Sequence, residues 1–125
     1  MNTPDRGFID QDASKEALDV RQKVENGAKL FRLGEEGNSR KGDNAQYWST
    51  IDPRVDPEAY VKATGAYLKA ADANFVETAT LKEGATFVTA PAAPNKDVQD
   101  SGGAIEVVIQ QGGTQGNQII PFIHK

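Results

Sequence analysis

Gly102-Gly103-Ala104-Ile105-Glu106-Val107-Val108-Ile109-Gln110 is the most strand-like stretch of the chain, and its reading decides the fold around it. Its β-branched aliphatic residues favour an extended, packed backbone, so a strand is expected from Ala104 to Gln110. Glu106 stands among four aliphatic side chains. A carboxylate in that setting either faces water or is a paired, functional group in a cleft, and the Gly-Gly ahead of it lets a ligand or another backbone come close. Three further runs rich in Val, Ile, Thr and Phe predict strands from Phe75 to Leu81, Ala85 to Ala90 and Gln118 to Ile123. Glu83-Gly84, a Pro-Ala-Ala-Pro loop and a Gly-rich turn separate them. Connections this short favour antiparallel pairing.

Upstream the pattern is helical. Ala13, Ala17, Val20 and Val24 share one face of a helix expected from Ala13 to Asn26. Asp12 or Ser14 can cap its start, Gly27 can take the left-handed position after its end, and Asp19 can pair with Lys23 one turn on. Lys29-Leu30-Phe31-Arg32-Leu33 predicts a short strand stopped by Gly34, and Glu35 to Asn44 a loop. Tyr47-Trp48-Ser49-Thr50-Ile51 predicts another strand ahead of Asp52-Pro53. Asp56-Pro57-Glu58 has the form of an N-cap with Pro in the first helical position, so a second helix is expected near residues 57–71. Gly65 interrupts it at a cost of about 1 kcal/mol relative to Ala. Helices first and strands later make an α+β chain rather than an alternating βαβ one. The 125 residues, 38% of them hydrophobic, suit a single domain, 1–125, with residues 1–12 as a loose lead-in.

Composition excludes several chemistries. Cys is absent, which removes thiol catalysis and thiolate metal sites. The only His, His124, rules out His-based metal clusters and argues against a Ser-His-Asp triad. Fourteen basic and eighteen acidic residues leave a net charge of −4 with no dense basic tract, so stable nucleic-acid binding is not expected. No apolar run approaches the roughly 20 residues that a bilayer demands, so no membrane partner is expected. Neither GxGxxG nor GxxxxGK[ST] occurs, which leaves dinucleotide-fold and P-loop sites unsupported. The N-terminus has no basic or apolar leader region, so an exported form would take its signal from a longer chain.

Three elements carry polar groups where a purely structural strand would hold apolar ones: Arg32 in Leu30-Phe31-Arg32-Leu33, Ser49-Thr50 after Tyr47-Trp48, and Glu106. Arg32 on a half-exposed strand could face water, and Ser49-Thr50 could be turn chemistry. Their order and surroundings say more. Leu-Phe-Arg-Leu-Gly, then Tyr-Trp-Ser-Thr, then Leu-Lys-Glu-Gly-Ala-Thr-Phe, then Gly-Gly-Ala-Ile-Glu-Val-Val-Ile with Gly-Gly-Thr and a last Ile-Pro-Phe strand resembles the Arg-Ser-Glu class of ADP-ribosyltransferase domains. The resemblance runs from Leu30 to Phe122 and is to the small C-terminal modules of bacterial polymorphic toxins.

That resemblance implies a split antiparallel β-sandwich around an NAD cleft, with NAD as the consumed substrate. It gives the first strand's Arg32 to the phosphates or ribose of NAD, Ser49 and its neighbour Thr50 to the active-site strand, and Glu106 to the nicotinamide-ribose hydroxyl and the cationic sugar centre. Tyr47, Trp48 and Tyr60 are the aromatic residues that could stack on nicotinamide. Ala104 replaces the second acidic or amide residue of arginine-modifying members, which turns the expectation toward another protein residue, a nucleic acid, a small molecule or water as acceptor. The family implies a secreted effector used against other cells and a cognate immunity protein as partner. Two other readings stand beside it. One is a metal-independent ribonuclease in which His124, Glu106 and a Lys or Arg perform general acid-base cleavage beside a 2′-hydroxyl; the other is a non-enzymatic interaction domain, in which Arg32 and Glu106 are far apart and exposed.

Overall fold

Ser14 starts the first helix, because its hydroxyl accepts a hydrogen bond from the Ala17 N–H at 3.2 Å, while the Asp12 carboxylate receives the Ser14 N–H at 3.0 Å. A computed structural model describes residues 10–37, 47–64, 69–92 and 103–122. In it α1 spans Lys15–Glu25 and buries Ala17 and Val24; Gly27 follows with φ +92°, the left-handed conformation expected there. Ala13 lies outside the helix and is exposed. Asp19 pairs backward with Lys15 at 3.3 Å instead of forward with Lys23, since both lysines lie one turn away. Asp56 caps α2, Pro57–Thr64, by accepting the Ala59 N–H at 3.1 Å. That helix is shorter than expected; a 3₁₀ turn, Ala70–Asp72, forms the far end of the 57–71 range, and Gly65 falls outside the described residues.

Six strands follow the chain as β1 (Leu30–Gly34), β2 (Tyr47–Trp48), β3 (Phe75–Leu81), β4 (Phe87–Pro91), β5 (Ile105–Ile109) and β6 (Thr114–Pro121). They form two three-stranded antiparallel sheets, ordered β1-β3-β6 and β2-β5-β4, so the molecule is a small α+β fold. The short connections do not make hairpins here. β3 and β4, joined through residues 82–86, lie in different sheets, and so do β5 and β6. The two crossings are held side by side: the Lys82 N–H donates to the Gly113 carbonyl at 2.8 Å and the Gln110 N–H to the Thr86 carbonyl at 3.1 Å.

Two apolar clusters hold the layers. Leu30 and Ala79 of one sheet meet Trp48, Phe87, Val107 and Ile109 of the other, closed by Val24 of α1. On the opposite face of the first sheet, Leu33 and Val76 pack with Tyr60 and Val61 of α2. β1 stops at Gly34 as expected, but Gly34 is itself the last position of the ladder, opposite Phe75, whose ring leaves no room for a Cβ. β6 begins four residues before the expected Gln118. Between Thr78 and Thr80 of β3 it advances from Gln118 to Gln115, one extra residue, and Gly116 takes that bulge with φ +66°. The lead-in is not wholly loose either: the Gln11 amide donates to the Thr89 carbonyl and hydroxyl at 2.9 and 2.7 Å and accepts the Thr89 N–H at 2.9 Å, covering the free edge of β4. No helix among the described residues is long and apolar enough to cross a membrane.

Candidate active site

Among the described residues, one backbone bridge joins the two sheets. The Phe31 N–H donates to the Ser49 carbonyl at 2.7 Å and the Ser49 N–H to the Phe31 carbonyl at 2.9 Å. Ser49 thus ends β2 not as the strand residue expected through Ile51 but as a single bridging position. Its buried hydroxyl accepts the Ile51 N–H at 2.9 Å, which is turn chemistry. Thr50, half-buried, follows it into the turn.

Pairing on the other side of β2 brings Glu106 to the same place. Tyr47 lies opposite Val108 and Trp48 opposite Val107, so the next positions along the two strands are Ser49 and Glu106. Side chains alternate along a strand, which puts Tyr47, Ser49 and Glu106 on one face, the face of Phe31. Tyr47 is 41% exposed there, available to a flat ligand. Glu106 has no hydrogen-bond or ion-pair partner among the described residues, and burial raises its carboxyl to a pKa of about 7. It is therefore poised between acid and carboxylate near neutrality, as functional-site carboxyls often are.

Arg32 goes the other way. It sits next to Phe31 and directly opposite Glu77, so its side chain projects on the alternate face, toward Trp48. Its Nη1 contacts Glu77 Oε1 at 3.2 Å, and its guanidinium lies 5.8 Å from the Trp48 ring and 6.0 Å from the Phe75 ring. Burial lowers the Arg32 pKa, with Glu77 opposing that shift. The expected convergence of Arg32 and Glu106 in one pocket is not what the register gives: at the seam they occupy opposite faces. The reason is parity, because Arg32 and Phe31 are consecutive and only Phe31 shares the face of Ser49.

Trp48 is 2% exposed in the inter-sheet cluster, where core neighbours take the place of a stacked ligand. Tyr60 is also buried, its hydroxyl donating to the Phe31 carbonyl at 3.4 Å and its pKa pushed up by burial. It supports the bridge from the Phe31 side, the face that Leu33 and Val76 share. His124 lies outside the described residues.

Sequence reasoning missed Glu77. It is fully buried in the middle of β3, with Oε1 on Arg32 and Oε2 accepting from Asn117 Nδ2 of β6 at 2.9 Å; Asn117 also donates to the Thr114 hydroxyl at 3.1 Å. The signal was present, since Phe75-Val76-Glu77-Thr78-Ala79 places a carboxylate in an apolar strand just as the Glu106 stretch does. No protein-family model, curated protein or solved structure matches the chain.

Proposed function

We propose that the chain is an NAD-consuming ADP-ribosyltransferase of the Arg-Ser-Glu type, with Glu106 as its catalytic carboxylate. The observation that carries the reading is Glu106 itself: half-buried, without a partner among the described residues, titrating near neutrality, and opposite Ser49 one step beyond the last β2–β5 pair, where two antiparallel sheets part. The order of elements supports it as well. Arg32 is in the first strand, Ser49 follows the aromatic pair of the second, and Glu106 is second in the fifth, the sequence of parts that the resemblance implies. The non-enzymatic reading expects Arg32 and Glu106 far apart and exposed. Their opposite faces at the seam agree with it, while Arg32 at 14% exposure and a half-buried Glu106 count against it.

The chemistry asks little of the protein. The bond from the ribose C1′ to the pyridinium nitrogen breaks, its electron pair leaves with nicotinamide, and the ring nitrogen loses its positive charge. The sugar left behind is a cation of the oxocarbenium type. Ionised Glu106 stabilises that centre in a setting where water is partly excluded and charge interactions are strong. An acceptor nucleophile then bonds to C1′ and gives up a proton; water in that role makes the reaction NAD hydrolysis. Tyr47 offers an aromatic face to nicotinamide, and Ser49 with Thr50 holds the strand end beside Glu106. A secreted effector as carrier and an immunity protein that plugs the cleft belong to the same reading.

The test is nicotinamide release from NAD by the whole chain, alone and with a cell lysate that supplies acceptors. Wild type should release it and Glu106→Gln should not. No release by wild type under either condition overturns the proposal.

A further inference from the structure

Charge in the first sheet is buried where apolar packing would serve. Glu77 is 0% exposed and Arg32 14%, and a buried ion pair is weak support for stability, since an apolar replacement of equal volume is often as stable or more so. Such a pair has a specifying role where it fixes one arrangement against another. The geometry shows what would be fixed: Glu77 holds Arg32 from β3 and is itself held by Asn117 from β6, so the network crosses all three strands of the sheet. At its far end the guanidinium lies near the Trp48 ring, the residue just before Ser49. The side-chain contact and the Phe31–Ser49 backbone bridge are thus adjacent ties across one seam.

We propose that Glu77 is a positioning residue, which through Arg32 sets the seam that places Ser49 beside Glu106. This rests on the transferase reading for its catalytic consequence, though not for its structural one. Arg32 then serves the reaction from behind the strand, its charge matched by Glu77 rather than by the diphosphate of NAD.

The double variant Arg32→Met/Glu77→Leu separates these roles, with nicotinamide release and amide hydrogen exchange as readouts. The expected result is a folded protein whose Phe31 and Ser49 amides lose protection while amides of the β4–β5 ladder keep theirs. Its kcat should fall about 100-fold, the scale of a misplacement near 1 Å, with the KM for NAD nearly unchanged. A KM rise with kcat preserved would make Arg32 a direct ligand of NAD and overturn the proposal, as would wild-type protection at the seam. Should the double variant fail to fold, Glu77→Gln, close in size, is read in the same way, with the same seam-selective loss expected. If wild type itself releases no nicotinamide, the transferase reading falls, and seam exchange alone still decides whether Glu77 governs Ser49.

Discussion

Glu106 and Glu77 are the same residue type in similar apolar strands, and their surroundings give them opposite characters. Glu77 has both carboxylate oxygens engaged, by Arg32 and Asn117. Glu106 has none engaged among the described residues, so burial alone acts on it and raises its pKa from 4.5 to about 7. Between those two values the native state holds a proton that the unfolded chain has released, so Glu106 lowers stability as pH rises through that window and by a constant amount above it. Glu106→Gln should therefore raise Tm relative to wild type at pH 8, with the gap closing toward pH 5. Thermal melts at the two pH values check this, and equal gaps would mean that Glu106 ionises freely in the native state. The sequence made Glu106 legible because its neighbours are uniformly aliphatic. Glu77, followed by two threonines that soften the contrast, drew no notice, and Arg32 showed its charge but not its direction.

At the scale of elements, helix starts were readable because capping is local: Ser14 and Asp56 each accept an N–H three residues on. Strand ends were less so, since they depend on partners remote in the chain. Gly34 read as a stop signal but is a packing requirement, set by the Phe75 ring facing it from β3. Gly34→Ala should destabilise the domain by about 1–3 kcal/mol, the usual cost of overpacking. Denaturant unfolding measures this; a neutral effect would mean that the Phe75 ring moves aside freely. β6 started earlier than expected for a related reason, because Gly116 looked like turn sequence and instead absorbs a bulge within a continuing strand.

Over the whole molecule, the α+β class followed from the order of helical and strand-like runs; the pairing is antiparallel as expected, but not between the strands that the short connections join. Which strands pair did not follow, because residues 82–86 and 110–113 carry the chain between sheets rather than around a hairpin. The two sheets meet at Phe31 and Ser49, and that seam separates Arg32 on one face from Ser49 and Glu106 on the other. NAD cleavage by this site requires Glu106 to act as an ionised group. The most direct measurement is kcat/KM for nicotinamide release across pH, which reports the pKa of the free enzyme. The expected rate climbs with pH, levels off above about 7, and disappears in Glu106→Gln. A profile flat across neutrality, or one that Glu106→Gln leaves unchanged, would contradict it.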